Sequence, residues 1–173
     1  PSGDGPWPVL YMHDGQNLFA PDAFWGGWNL QETASRPDAE DVLILGIDNT
    51  LDRMDEYTHV PDDIGYGSVM GGQGDRYAEL VHDHVKPHIE SVDGSSGLDG
   101  LLGSSLGGLI SLHIAQRYPD AFDFAGSMSG TLGWGRFGLD QTTMEELYLT
   151  AGPMSTALYL DSGGSAGRDG VCE

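Results

Sequence analysis

The segment Leu98–Tyr118, LDGLLGSSLGGLISLHIAQRY, decides the fold class of this chain. Its apolar start, Leu98–Leu102, predicts a buried strand, and Gly107–Tyr118 predicts a helix that ends at the following proline. Between them Gly103–Gly107 matches the pattern G-x-S-x-G, with Ser105 at its centre. Small residues on either side of a serine let the strand and the helix approach closely at a sharp turn. We therefore predict Ser105 as a nucleophile on a tight, strained strand-to-helix turn.

A second match to the same pattern, Gly163–Gly167, places Ser165 at its centre. The pattern alone is weakly specific in a chain with 27 glycines, so the surrounding sequence has to decide between the two serines. Ser165 follows a strand candidate, but Arg168-Asp169-Gly170 comes next instead of a helix. The context favours Ser105, for which the alternative interpretation is an ordinary glycine-packed turn.

The rest of the chain alternates short apolar runs with helical patterns. The other strand candidates are Pro8–Met12, Asp41–Ile47, Phe122–Ala125 and Ala157–Leu160. The other helix candidates are Trp28–Ala34, Asp75–Lys86 and Thr142–Leu149, and Pro87 is expected to break or kink the second of these. Apolar strands that alternate with helices are typical of a parallel sheet covered on both faces. We predict one α/β domain over residues 1–173, with a mostly parallel central sheet flanked by helices.

Composition excludes several classes of function. The chain carries 7 Lys+Arg against 27 Asp+Glu, and the resulting charge of −20 disfavours binding to nucleic acid. No apolar run reaches the roughly 18 residues of a membrane span. Cys172 is alone, so the chain has no internal disulfide. The glycine-rich stretch Gly65–Gly74 is read as a loop, and it lacks the Gly-Lys-Ser/Thr that ends a phosphate-binding loop.

A serine nucleophile needs a base, an orienting acid and donors for the oxyanion. The backbone N–H of Leu106, directly after Ser105, is one expected donor. The loop after the first strand, His13–Asn17, is expected to supply the other from Gln16, unless it is only a tight turn. Asp161 follows the last strand and is the expected acid.

Other readings of the acid stay open. Asp161 could instead cap or start a turn, which is a common role for aspartate. Asp123 and Asp140 are rival acids, although neither ends a clear strand.

Four segments in order, YMHDGQNLF, GIDNTLDRMDEY, GSSLGGL and LYLDSGG, resemble the putative-esterase family of α/β-hydrolases. That family includes esterase D-like, feruloyl and enterochelin esterases and the mycolyltransferases, and the resemblance covers essentially the whole chain. It implies the nucleophile at Ser105, the acid at Asp161 and the oxyanion amides at Gln16 and Leu106. It also implies that a further group lies near the acyl or alcohol side of the cleft: Trp25, Trp28, Asn29 and the segment Asp48–Tyr57, from which we single out Tyr57.

The expected function is hydrolysis of a small-molecule or carbohydrate-linked carboxylic ester through an acyl-enzyme on Ser105, without a cofactor. Acyl transfer to a sugar hydroxyl is the alternative within enzymes, and a non-catalytic binding module is the alternative outside them. An extracellular or periplasmic location is favoured over the cytoplasm.

The sequence has no histidine at the position expected for the base. The order in this fold is Ser, then acid, then His, yet none of the six histidines follows Asp161. We therefore expect an incomplete domain that lacks the last strand with its histidine loop. The resemblance further implies one or two N-terminal strands before Pro8, which we also expect to be missing. The alternative is recruitment of His59.

Three other histidines are close together in the sequence. His84 and His88 have i, i+4 spacing near His82, which suits a metal on a helix, but Pro87 lies between them and no metal is predicted.

Overall fold

A five-stranded sheet forms the centre of the computed structural model, which describes residues 5–20, 22–23, 27–65, 67–93 and 95–162. Its strands are β1 (Trp7–His13), β2 (Leu43–Ile47), β5 (Ser95–Ser104), β6 (Phe124–Met128) and β7 (Ala157–Asp161). The order is β2-β1-β5-β6-β7 and every neighbouring pair is parallel, which confirms the predicted parallel sheet. All five strand candidates from the sequence are present.

Helices cover the sheet and connect its strands. They are α1 (Leu30–Ala34), α2 (Arg53–Glu56), α3 (Gly74–Glu79), α4 (Lys86–Asp93), α5 (Leu106–Arg117) and α6 (Met144–Thr150). Helix α5 packs against β5 and β6, and its residues from Leu106 to Ala115 are all buried. This stretch is mostly apolar or small because the helix faces the sheet on one side and α3 and α6 on the others. Its two polar members are hydrogen-bonded: Ser111 donates to the Gly107 carbonyl, and His113 Nε2 lies 2.8 Å from Asp75 Oδ1.

Of the two effects expected of Pro87, a break or a kink, the structure shows no break. A π-helical turn, Leu80–Val85, joins α3 to α4, and Pro87 is the second residue of α4. Proline is tolerated in the first turn of a helical segment, where its missing N–H costs no regular hydrogen bond. The wider π turn therefore lets the chain continue helically from residue 74 to residue 93.

A small hairpin stands apart from the main sheet and was not predicted. Strands β3 (Pro61–Asp63) and β4 (Val69–Gly71) pair antiparallel, so part of the stretch Gly65–Gly74 is strand and helix start instead of loop. The hairpin packs beside the loop that follows β6, where Trp134 is buried and donates from its indole N–H to the carbonyl of Val60 at 2.7 Å.

The Asp62 carboxylate joins the hairpin to this loop. It is fully buried and accepts five backbone N–H groups at 2.7 to 3.1 Å, one from the adjacent Asp63 and four from the loop, donated by Gly135, Phe137, Gly138 and Leu139. Burial alone would raise the pKa of Asp62, but the four loop donors outweigh it and lower the pKa below its usual value. Asp62 is therefore ionised and fixes the loop through charge-assisted hydrogen bonds.

Within the residues that the structure describes, no helix combines the length and apolar character needed to cross a membrane.

We predict that Asp62→Asn lowers the free energy of unfolding by about 3 kcal/mol, because an amide has one acceptor oxygen and sets its NH₂ against backbone donors. Urea unfolding at neutral pH measures the loss. Asp140→Asn, with a side chain 91% exposed, is the matched control and should change little. The depressed pKa means that this stabilisation is full above the ordinary value of about 3.9 and is lost as the pH falls through the folded-state pKa. In acid, the free energies of unfolding of Asp62→Asn and Asp140→Asn should therefore become equal. A difference between them that stays the same at every pH would contradict the prediction.

We also predict that salt promotes association through β7, an edge strand among the described residues. Leu158 and Leu160 on β7 are 42% and 55% exposed, while the charge of −20 opposes association until salt screens it beyond about 8 Å. Light scattering across a series of NaCl concentrations should show association that Leu160→Lys suppresses. Leu51→Lys makes the same charge change at a fully exposed site outside the sheet and should behave like the unmodified chain. A monomer at every salt concentration would refute this prediction.

Candidate active site

Ser105 lies on the turn between β5 and α5, with φ 57° and ψ −123°, as the sequence predicted. Non-glycine residues rarely adopt a positive φ, so the backbone here is strained. Its N–H donates to the Met128 carbonyl on β6 at 3.0 Å, and its carbonyl accepts from the Gly108 N–H at 3.0 Å. Hydrogen bonds to the neighbouring strand and to the first turn of α5 therefore hold the strained residue, whose side chain is exposed.

Glycines allow this turn because two backbones meet there. A Cβ on Gly103 would come within 2.3 Å of the Gly107 carbonyl group, and a Cβ on Gly108 would come within 2.4 Å of Ser127 Oγ. Any side chain at Gly103 or Gly108 would push α5 away from the sheet. Close approach thus requires glycine at the first position of the G-x-S-x-G segment, Gly103, and at Gly108 directly after the segment.

Thr131 contacts Ser105 and was missed by the sequence analysis. The Thr131 and Ser105 hydroxyl oxygens are 3.3 Å apart, and the Thr131 N–H donates to the Ser105 carbonyl at 3.3 Å. Thr131 lies in the loop after β6, for which the sequence contains no distinctive signal.

The two expected oxyanion donors come from neighbouring strands. Leu106 is the first residue of α5, so its N–H has no acceptor within the helix. Gln16 lies in the 3₁₀ turn Gly15–Asn17 after β1, and the first hydrogen bond of that turn is donated by Asn17 to Asp14 at 2.9 Å. The N–H of Gln16 precedes that bond and stays outside it. Because β1 and β5 are adjacent, both loops leave the same edge of the sheet.

A half-buried ion pair supports the turn after β1, and the sequence analysis did not identify it. The Arg53 guanidinium donates two hydrogen bonds to the Asp14 carboxylate, at 2.6 and 2.7 Å. The Asn49 amide donates to the same carboxylate at 2.5 Å, and the Asn49 N–H donates to Gln16 Oε1 at 3.2 Å. Burial would lower the pKa of Arg53, but its bonds to Asp14 raise that pKa above its usual value. Arg53 is therefore charged.

A cleft of about 530 Å³ opens beside Ser105. Its lining residues are Asp14, Asn17, Trp28, Asn49, Arg53, Met54, Ser104 and Ser105. Trp28 thus lines the cleft, and its backbone N–H donates to the Asn17 carbonyl at 3.0 Å.

Asn29 and Trp25 were also suggested as substrate contacts. Asn29 lines a separate shallow depression with Phe19 and Gln31, away from Ser105. Trp25 lies outside the described residues, as does Ser165.

Tyr57 needs a correction as a suggested substrate contact. Its side chain is completely buried, and its hydroxyl accepts the Asp14 N–H at 3.2 Å. The Arg53 guanidinium lies 5.1 Å from the centre of its ring. Tyr57 therefore lies beneath the cleft and packs against the ion pair, where no substrate can reach it.

Asp161 lies at the carboxyl end of β7, two strands from Ser105. Ser104 is in register with Met128 on β6, and Met128 is in register with Asp161 on β7. The backbones of Ser104 and Asp161 are therefore two strand spacings apart, or roughly 10 Å. Asp161 Oδ1 accepts the Ser129 N–H at 2.8 Å, and Oδ2 accepts the Tyr159 hydroxyl at 3.1 Å. The two-strand distance joins the backbones of Ser104 and Asp161, and it places the acid candidate on the same sheet edge as the nucleophile candidate. By contrast, the rival Asp123 lies at the opposite end of β6, where its carboxylate accepts the Asp99 N–H.

None of the six histidines lines the cleft, and all six lie in the described part of the chain. His13 is fully buried with Nδ1 3.0 Å from the Tyr77 hydroxyl oxygen, and burial lowers its pKa to about 4. His59, the alternative base, has Nε2 2.7 Å from the Thr142 carbonyl oxygen and its ring 5.8 Å from that of His113. His59 therefore faces the loop before α6 instead of Ser105.

No group of three or more metal-ligating side chains gathers within the part of the chain that the structure describes. His82, one of the three histidines close in sequence, stacks on the ring of Tyr118 with centroids 3.9 Å apart.

Two curated proteins are similar to this chain in sequence. It is 28% identical over 172 residues to the uncharacterised protein YbbA of Bacillus subtilis, covering 95% of this chain and 64% of that protein. It is 26% identical over 147 residues to the siderophore triacetylfusarinine C esterase of Aspergillus fumigatus, covering 77% of this chain and 47% of that enzyme. The chain thus spans roughly half to two thirds of the length of these relatives.

Solved structures share the fold. An IroE-like serine hydrolase from Shewanella oneidensis superimposes with a TM-score of 0.62 at 26% identity, over 75% of this chain and 42% of that one. The enterochelin esterase of Shigella flexneri superimposes with a TM-score of 0.59 at 21% identity, over 91% of this chain and 38% of that one. The model of the family described as Putative esterase matches residues 1–167, and this chain belongs to that family.

Proposed function

We propose that this chain carries the nucleophile, the acid and the oxyanion donors of a serine carboxylic ester hydrolase. The backbone of Ser105 supports the proposal most directly, since φ 57° and ψ −123° present its hydroxyl to a cleft at the carboxyl edge of the sheet. Strain of this kind persists where surrounding contacts enforce it, and it is concentrated at functional sites. Ser105 is then the centre of a nucleophile elbow.

In the proposed reaction Ser105 Oγ attacks the acyl carbon of the ester, and the carbonyl electron pair moves onto oxygen. The N–H groups of Gln16 and Leu106 donate to this oxyanion. An imidazole takes the serine proton and returns it to the alcohol as the acyl C–O bond breaks. Water then attacks the acyl-enzyme, the carboxylic acid leaves and Ser105 regains its proton.

Asp161 is the proposed acid that orients the imidazole. Its two oxygens each accept one hydrogen bond from within the described chain, from Ser129 and Tyr159. A carboxylate has roughly four acceptor positions, so capacity is left for an imidazole N–H. Its place two strands from the nucleophile fits this role.

The proposed base lies outside this chain. No histidine of the chain lines the cleft, and the chain spans 64% and 47% of the two curated relatives. We propose that further sequence supplies the histidine and that this chain alone is nearly inactive. Without a base the rate should fall by about 10⁴-fold or more.

The proposed substrate is a small-molecule or carbohydrate-linked ester. The Arg53–Asp14 pair of the cleft is electrically neutral, and the net charge of −20 disfavours polyanionic substrates. Since a relative from Aspergillus fumigatus is a siderophore esterase, esters of that type belong in the first screen. We propose an extracellular or periplasmic location over a cytoplasmic one.

Exogenous imidazole tests the catalytic proposal on this chain directly, because a free imidazole can occupy the space between Ser105 and Asp161. We predict that imidazole raises aryl acetate hydrolysis by the chain above the rate of imidazole alone. Mass spectrometry of the quenched reaction should find acetate on the peptide that contains Ser105. Adding a sugar acceptor and analysing the products distinguishes hydrolysis from acyl transfer.

Ser105→Ala should abolish the gain from imidazole, and Asp161→Asn should reduce it. Ser96→Ala, at the far end of β5, is the matched control and should keep it. An unchanged gain in Ser105→Ala would exclude Ser105 as the nucleophile. If neither this chain with imidazole nor the full gene product hydrolysed any ester in the screen, the non-catalytic interpretation would replace ours.

A further inference from the structure

The Asp14 carboxylate lies beside the place where negative charge would develop in the proposed reaction. Its side chain is 10% exposed, and Asp14 comes two residues before Gln16. One of its oxygens lies 3.2 Å from the position that a Cβ on Gly107 would take, and Gly107 directly follows Leu106. The carboxylate is thus next to the backbone of both proposed oxyanion donors.

An unpaired carboxylate at this place would oppose catalysis. Two like charges a few ångströms apart repel strongly where little water screens them. The developing oxyanion would therefore be destabilised by Asp14, while the neutral ester in the ground state would be affected much less. Such an effect falls on kcat more than on KM.

Arg53 pairs with that charge in a fixed geometry. Its guanidinium binds both oxygens of Asp14, at 2.6 and 2.7 Å, and its position is set by α2 and by the Tyr57 ring beneath it. A planar guanidinium matches a carboxylate in two places at once, which lysine cannot do.

The same pair holds the shape of the turn. Asp14 has φ 59° and ψ 47°, a left-handed conformation that is uncommon for a residue with a side chain. Its side chain is held by Arg53 and Asn49, and its N–H is bound by the Tyr57 hydroxyl. These contacts set the direction in which the chain enters the 3₁₀ turn that contains Gln16.

We infer that Arg53 is a positioning residue of the oxyanion hole: it cancels the charge of Asp14 and fixes the turn that aims the Gln16 N–H into the cleft. This inference rests on the proposed esterase function. It uses only the two Arg53 N–H groups that are directed at Asp14 and assigns Arg53 no contact with the reacting atoms.

The test compares three variants in the full gene product with an aryl ester. Arg53→Gln should lower kcat by about 100-fold, the scale seen when one oxyanion donor is lost, with a much smaller change in KM. Arg53→Lys keeps the positive charge but not the two-point contact with the carboxylate, and its kcat should lie between those of the unmodified protein and Arg53→Gln. The double variant Asp14→Asn/Arg53→Gln removes both charges and should recover kcat relative to Arg53→Gln alone.

Arg36→Gln is the matched control, because Arg36 also binds both oxygens of an aspartate, Asp38, but on the exposed surface. It should leave kcat and KM unchanged. Titration of active sites corrects every rate for the folded fraction, so a loss of stability alone cannot imitate the result.

A normal kcat in Arg53→Gln would overturn the inference. A double variant no faster than Arg53→Gln would overturn its electrostatic part and leave a purely geometric role. Ser105→Ala is assayed in parallel: if it abolishes activity while Arg53→Gln does not, only this inference fails. Full activity of Ser105→Ala would instead overturn the proposed function.

Discussion

The close approach of helix α5 to the sheet governs the rest of this structure. At Gly103 and Gly108 there is no space for a methyl group between the helix backbone and strands β5 and β6. That approach forces the chain at Ser105 into its sharp turn with positive φ and frees the N–H of Leu106 at the start of the helix. The exposed hydroxyl and one expected oxyanion donor are therefore both products of one packing requirement. The loops after β1 and β6 complete the surroundings of Ser105.

Much of this architecture could be predicted because its signals are local. The apolar strands and the glycines around Ser105 act over a few neighbouring residues, so the parallel sheet and the turn were foreseen. Strand and helix bounds differed by a few residues, as at Leu106, where the helix starts one position earlier than predicted. Whether Pro87 breaks its helix depends on the π-helical turn before it, which no pattern in the sequence announces.

The contacts of the site that the sequence analysis did not predict were missed for a different reason. Asp14 and Arg53 are 39 positions apart, and their pairing depends on how β1 and α2 are placed by the sheet. Thr131 reaches Ser105 from a loop 26 positions away. Tyr57 was assigned to the cleft by resemblance of its segment, but the tertiary fold turns its side chain inward, beneath Arg53. Contacts between distant elements carry no period or spacing in the sequence, so only the folded chain brings them out.

The strand order also has a kinetic consequence. The two central neighbours, β1 and β5, pair Met12 with Leu102, which are 102 − 12 = 90 positions apart. On a ribosome β1 emerges long before its partner, and during that interval it can pair only with β2. Closing so long a loop costs entropy before any sheet contact repays it, and folds rich in distant pairings form slowly. The apolar side chains of β1 therefore stay exposed until β5 has been synthesised. We expect the nascent chain to depend most on chaperones while the residues between β2 and β5 are being made.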